Sequence, residues 1–269
     1  VKMLNVNTIV DNLKNSGYCK IENFLDKNEI KKAREMTYGK FKGSKSLNRY
    51  FPFTYFMVLK KLLKLDFEKF RQGIDIINIM KKKPELQNIF NQVFEKKNAL
   101  QFIDAYNLNK GEKIEWHTDH MLEKTNKHRL ILFIYLDSVS KGNGSMGYIK
   151  NSHLIMNFLK KKIIENKIQI KELKFENPPL EGDNFSLEFL LKLINHNYQN
   201  LVDGLNEKKK IDDFIENVNL IINQRETDKF FDFMNPGDAI IFNQSGIHGG
   251  TTQLEGARSI LRLHWWSEK

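Results

Sequence analysis

Leu130-Ile131-Leu132-Phe133-Ile134-Tyr135-Leu136 is an apolar run of seven residues. It is too short for a core helix and rich in aromatic and β-branched side chains, so it reads as a buried strand. Working outward, strand patterns precede it at Leu100 to Asn107 and Lys113 to His117, and one follows at Met146 to Ile149 beyond the turn Lys141-Gly142-Asn143-Gly144. They resume at Phe230 to Met234, break at Asn235-Pro236-Gly237-Asp238, and continue through Ala239 to Phe242 and Ser259 to Trp265. Short strands separated by Gly, Pro and Asn turns predict a sandwich or barrel.

Helices frame this β core. Val6 to Leu13 has helical spacing and stops at Ser16-Gly17; a short strand, Tyr18 to Ile21, follows, and Asp26 to Phe41 opens on an Asp cap. Further helices are predicted at Tyr55 to Leu65 and Pro84 to Lys96, with Phe51 to Phe56 read as core packing. Between the two β blocks, Leu154 to Lys167, Ser186 to Leu205 and Lys208 to Asn223 read as helices, the last with Ile211, Phe214, Ile215, Val218, Ile221 and Ile222 on one face. No repeat or Pro/Gly-rich linker divides the chain. The expectation is a single domain, residues 1–269, of mixed α+β class: a mainly β core with N-terminal helices and a helical insertion at about 154–229.

Composition narrows the function classes. A chain of 269 residues that is 41% apolar can bury a sizeable core. Its one cysteine, Cys19, excludes an intrachain disulfide framework and a Cys-based zinc site, which favours a reduced, cytoplasmic setting. No apolar run approaches the length of a membrane span, and Asp11, Lys14 and Asn15 fall where a signal peptide would be apolar. The net charge of +10 invites a nucleic-acid reading, but only seven of the 43 basic residues are Arg. Runs such as Lys81-Lys82-Lys83 and Lys208-Lys209-Lys210 lie on or beside amphipathic segments and read as solvated helix faces. Nucleic acid is therefore not the expected partner, whereas the charge suits an anionic small molecule.

The chemistry concentrates in Trp116-His117-Thr118-Asp119-His120. In extended chain, residues two apart project to the same side, so His117 and Asp119 can share one ion while Thr118 points away. A third donor, His248, lies in Ser245-Gly246-Ile247-His248-Gly249-Gly250, just past the strand ending at Phe242. Two imidazoles and a carboxylate on one face, with the opposite positions open, are what a non-haem Fe(II) oxygenase needs to seat a cosubstrate and O₂. Ten residues beyond His248, Arg258 could pair in bidentate fashion with the far carboxylate of a dicarboxylic cosubstrate, with Arg262 its rival on the same strand face. His120 and His128 read as outer or surface residues and His264 as a core residue.

His117-x-Asp119, His248-Gly249 and Arg258 together resemble the motif of the phytanoyl-CoA dioxygenase family of Fe(II)- and 2-oxoglutarate-dependent oxygenases. Gly17-Tyr18 through Phe24-Leu25 resembles that family's opening strand. Leu136-Asp137, Asn143-Gly144 and Asn151-Ser152-His153 resemble its strand, turn and Gly-Ser-His segment, and Pro236-Gly237-Asp238 its turn before the distal His. The resemblance implies a double-stranded β-helix of the jelly-roll or cupin type, with Fe(II), 2-oxoglutarate and O₂ as cofactor and cosubstrates. It makes His117, Asp119 and His248 the metal ligands and Arg258 the partner of the C5 carboxylate. Gln101 falls near the family's cosubstrate-contacting glutamine. Two positions depart from the pattern. Gly250 stands where many members have Ser, which passes any hydroxyl contact to Thr251 or Thr252, and Asn151 replaces the usual Gly.

The implied reaction is oxidative decarboxylation of 2-oxoglutarate coupled to hydroxylation of a small-molecule metabolite, and the retained Asp119 separates the chain from halogenases of this scaffold. A non-catalytic jelly-roll binding protein and a nucleic-acid-modifying oxygenase are the alternatives. The insertion, with breaks at Pro178-Pro179 and Gly182, is expected to act as a substrate lid, a sheet buttress or dimer contact being its alternative.

Overall fold

The run that decides the sequence reading is the centre of the larger sheet. In the computed structural model, which describes residues 4–38, 48–50, 76–95, 97–119, 128–140, 142–165, 168, 185–202, 205–222, 231 and 233–267, strand β5 (Arg129–Tyr135) is buried at every position. It lies in a six-stranded sheet of order β1-β10-β5-β12-β3-β2, built from β1 (Tyr18–Ile21), β2 (Asn48–Tyr50), β3 (Asn98–Asn109), β10 (Ala239–Asn243) and β12 (Ala257–Ser267). Every described pairing in this sheet is antiparallel. A second sheet of order β7-β11-β4-β8 contains β4 (Ile114–Thr118), β7 (Met146–Tyr148), β8 (Phe185–Ser186) and β11 (His248–Gly250). A two-stranded ribbon joins β6 (Val139–Ser140) to β9 (Phe233–Met234).

Alternation along the strands divides the apolar residues into three cores. Ile131, Phe133 and Tyr135 of β5, Ile240 and Phe242 of β10, Ile260 of β12, and Met146 and Tyr148 of β7 fill the space between the sheets. The opposite faces of the same strands supply Leu132, Ile134, Ile241, Leu261 and Leu263, which pack beneath the N-terminal helices α1 (Val6–Asn15) and α3 (Pro84–Phe94). The third core lies on the back of the smaller sheet. There Ile149, Ile247 and the half-buried Trp116 meet residues of α4 (Ser152–Ile164), α5 (Leu187–His196), α6 (Tyr198–Leu201) and α7 (Leu205–Ile222). This is a double-stranded β-helix with a helical layer on each outer face.

Most expected elements fall within a residue or two of their observed bounds; helix α2 (Lys27–Tyr38) starts one residue after the expected Asp26, and residues 39–41 lie outside the described residues. The predicted helix at Tyr55 to Leu65, the Phe51 to Phe56 stretch and the breaks at Pro178-Pro179 and Gly182 lie outside the described residues. Three differences are physical. Ser186 to Leu205 divides at Asn197, whose side chain donates back to the Leu193 carbonyl at 2.9 Å. Residues 76–81 form an unforeseen helical stretch. The insertion also contributes a strand: β8 pairs with β4, setting Ser186 opposite His117 and Phe185 opposite Thr118. The described helices of the insertion thus pack on the back of the smaller sheet.

Candidate metal centre

Two adjacent strands and the residue just past one of them bring the three donors together. His117 on β4 stands directly opposite His248 on β11, and their rings are 4.4 Å apart between centroids. Asp119 follows β4 by one residue. Its Oδ1 is 3.5 Å from His117 Nε2 and its Oδ2 is 3.8 Å from His248 Nε2. One donor atom from each side chain lies within 4.8 Å of the other two.

The neighbouring residues turn these donors inward. Thr118, fully buried between the two ligands, donates to the Ser245 carbonyl at 2.7 Å and so faces away from them. On β11, Gly249 leaves little room for a side chain, because a Cβ there would lie 3.0 Å from Trp116 Cδ2 and 3.1 Å from Trp116 Cα. The Gly after the distal His therefore lets the back-face indole cover the strand that carries the ligand.

Protonation is also set. His117 Nδ1 lies 2.6 Å from the Glu115 carbonyl and His248 Nδ1 lies 2.9 Å from the Gly246 carbonyl, each backbone oxygen accepting an N–H. In the neutral tautomer this selects, Nε2 of each ring is the lone pair facing Asp119, the arrangement in which imidazole binds a metal. Burial, aided by neighbouring His117, pushes His248 down to about 4, so the ring is neutral at physiological pH. Two imidazoles and a carboxylate fit a divalent transition metal.

Arg258 marks a second feature. Its guanidinium is almost wholly buried opposite Leu108, and Nη1 donates to the Gly144 carbonyl. Nε and Nη2 have no partner among the described residues. Burial lowers this guanidinium from its ordinary value, with the Tyr135 and Tyr106 phenols opposing. Tyr135 is fully buried in turn and is pushed up to about 12 by that burial. A buried cation with free N–H groups among neutral phenols fits an anionic ligand.

Other expected residues fall in defined places. Thr251 joins the Arg258 group, its hydroxyl accepting from the Ser145 amide at 3.0 Å next to Gly144. Gln101 does not join it, since its amide donates to Ala99 of its own strand at 3.4 Å and it sits at the β3–β12 bulge, seven residues along β3 from Leu108. Arg262 is held by Asp104, and His264 lies beside the same carboxylate at 3.6 Å. His120 lies outside the described residues, and His128 is exposed. Asn151 adopts a left-handed φ of 66°, a conformation that Asn tolerates better than most residues and that explains how it replaces Gly. Ser152 then accepts the Ile247 amide at 2.8 Å, which steadies the residue before His248. One contributor was not foreseen. Gln244 donates to Asp119 Oδ2 at 2.7 Å, and a glutamine four residues before a histidine carries no sequence signal of its own.

Two imidazoles and a carboxylate brought together on the smaller sheet of a double-stranded β-helix are the donor set of a mononuclear metal centre of the jelly-roll class. The chain belongs to the phytanoyl-CoA dioxygenase (PhyH) family, whose model matches residues 13–257. Solved structures share the fold at low identity. HygX from Streptomyces hygroscopicus, determined with nickel and 2-oxoglutarate bound, is 13% identical with a TM-score of 0.53, covering 96% of this chain and 85% of its own. SnoN, a non-heme alpha-ketoglutarate-dependent epimerase from nogalamycin biosynthesis, is 11% identical with a TM-score of 0.54, covering 97% of this chain and 80% of its own. EvdO2 from Micromonospora carbonacea var. aurantiaca, complexed with 2-oxoglutarate, is 10% identical with a TM-score of 0.53, covering 100% and 93%. No curated protein sequence matches the chain. No described helix is long and apolar enough to cross a membrane.

Proposed function

We propose that this protein is an Fe(II)- and 2-oxoglutarate-dependent oxygenase that hydroxylates a small molecule. The observation that carries the reading is the pairing of the inward-facing His117, Asp119 and His248 donors with a buried guanidinium, Arg258, that has two N–H-bearing atoms left over. His117, Asp119 and His248 would hold the metal, and Arg258 would hold the C5 carboxylate of 2-oxoglutarate. Family membership and the 2-oxoglutarate-bound relatives support the same assignment. When bound, ferrous iron and 2-oxoglutarate supply an O₂-derived oxidant, with succinate and CO₂ released.

The chain's own residues prepare the site. The Glu115 and Gly246 carbonyls fix both imidazole tautomers, so Nε2 is the atom each neutral ring offers to the metal. Arg258 Nε and Nη2 orient the cosubstrate from the far end, a buried charge-assisted contact that selects a dicarboxylate. Phe133, Phe242, Ile240 and Ile260 exclude water from the space between the sheets. An intact donor set with a free guanidinium is more than a binding-only jelly roll requires.

The test is metal-dependent turnover. Protein supplied with Fe(II), 2-oxoglutarate and O₂ should form succinate, and candidate substrates should raise that rate. His117→Ala and His248→Ala should each abolish both metal retention and succinate formation. Undiminished stoichiometric metal in both variants would refute the assignment.

A further inference from the structure

The turn Asn243-Gln244-Ser245-Gly246-Ile247 joins β10 to the strand bearing His248, and it reaches His248, Asp119 and the residue between His117 and Asp119. The Gly246 carbonyl holds His248 Nδ1, the Ser245 carbonyl holds Thr118 between the other two ligands, and Gln244 Nε2 donates to Asp119 Oδ2 at 2.7 Å. The turn is itself tightly fixed. Gln244 donates its backbone N–H to the Arg129 carbonyl at 3.0 Å, and Asn243 Oδ1 accepts from both the amide and the hydroxyl of Ser245, at 3.0 and 2.7 Å. Gly246 lies so close to Tyr148 Oη that a Cβ there would collide with it. The amide of Gln244 is thus presented from a rigid support, and its side chain is buried.

We propose that Gln244 is the positioning residue of the metal centre, fixing the Asp119 carboxylate through Oδ2 so that Oδ1 alone is offered to the metal. This inference rests on the metal-ligand reading above. Its physical content is a choice between two coordination modes. A free carboxylate beside a divalent ion can chelate through both oxygens, which fills one more coordination position. A hydrogen bond on Oδ2 opposes that mode, and it also stops rotation of a side chain that lies just past the end of β4. Gln suits the role because it donates without carrying charge. Lys or Arg in its place would neutralise the carboxylate that the metal needs. Gln244 Oε1 has no partner among the described residues, so the bond to Asp119 is the one polar contact assigned to this amide.

Co(II) titration of the metal-free protein tests the proposal, with visible absorption reporting affinity and coordination number together. Gln244→Met keeps the side chain's length and removes the donor. Its Co(II) Kd is expected to rise about 10- to 100-fold, the usual effect of losing such a partner. Its ligand-field bands should weaken as Asp119 chelates and the coordination number grows. The metal-free variant should melt within about 4 °C of wild type, which corresponds to roughly 1 kcal/mol in a chain of this size. Should Gln244→Met fold poorly, Gln244→Glu carries the same measurement, because it keeps the shape and places an acceptor where the donor stood. A Kd and spectrum matching wild type in the folded variant would overturn the inference. Failure of the metal-ligand reading looks different: wild type itself would not bind Co(II).

Discussion

Arg262 and Asp104 stand directly opposite each other on β12 and β3, and the guanidinium grips the carboxylate twice, Nε to Oδ1 at 2.6 Å and Nη2 to Oδ2 at 2.9 Å. Burial alone would raise the Asp104 carboxyl, but the adjoining His264 and Arg262 outweigh it and hold the group below the usual carboxylate range. Arg262 is therefore committed to the scaffold. Arg258, four residues earlier on the same strand, is not.

The two arginines should fail differently. On the proposed assignment Arg258→Ala removes the buried partner of the cosubstrate carboxylate, a loss of about 3 to 5 kcal/mol, so the 2-oxoglutarate Kd should rise roughly a hundredfold or more. Arg262→Ala instead strands a buried carboxylate and should destabilise the fold by a similar energy, seen as a lower denaturation midpoint. Calorimetric titration and urea unfolding of both variants separate the roles. If Arg262→Ala lost 2-oxoglutarate affinity at unchanged stability, the assignments would have to be exchanged.

Gly249 and Gly250 supply a matched pair for the second prediction. A Cβ on Gly249 meets the Trp116 ring and backbone at 3.0 and 3.1 Å, and Trp116 packs against the insertion core behind it. A Cβ on Gly250 meets nothing nearer than 3.5 Å. Gly249→Ala should therefore cost about 1 to 3 kcal/mol through overpacking and should weaken metal binding by shifting His248 relative to His117. Gly250→Ala should do neither. Equal melting temperatures for the two variants would show that the Trp116 contact does not constrain the strand.

The donors were readable because each has a chemical identity and a spacing: His-x-Asp on a strand, then His before Gly. The strands were readable because Leu130 to Leu136 and Ala239 to Phe242 are buried on both faces and so give continuous apolar runs. Strand β11, with burial satisfied by His, Gly and Gly, gives no such signal. β8 carries no sequence signal because two residues, Phe185-Ser186, are too few for any periodicity. Gln244 and Arg262 show the deeper limit. Whether a glutamine meets a carboxylate 125 residues away, or which of two arginines already has a partner, is decided by strand register.

Register also changes what the insertion should do when altered. β8 pairs with His117 and Thr118, and Leu190, Leu193 and Phe214 join Trp116 and Ile247 in one core. Leu190→Ala, at a fully buried position, should cost about 2 to 5 kcal/mol. Removing residues 154–229 should weaken metal binding as well as stability, because it uncovers the back of β4 and β11. A deletion variant with wild-type metal affinity would show that the sheet holds its ligands without this support.

His153 gives the fold an acid sensitivity of known sign. Its Nε2 donates to the Lys14 carbonyl at 3.1 Å, while Nδ1 is buried without a partner among the described residues and faces Gly17. Burial lowers this imidazole below its ordinary value of 6.5, against a smaller opposing effect of the Lys14 carbonyl. As pH falls through 6.5 the unfolded chain takes up a proton that the folded chain refuses, so stability falls with acidification, by at most about 1.4 kcal/mol per pH unit for this group. The loss begins near 6.5 and ends once the lower folded value is passed. His153→Gln keeps a donor for Lys14 but cannot titrate. Urea unfolding at pH 7 and pH 5 should show the gap between wild type and His153→Gln narrowing at the lower pH. Parallel stability profiles would mean that His153 titrates in the folded protein as it does in the unfolded one.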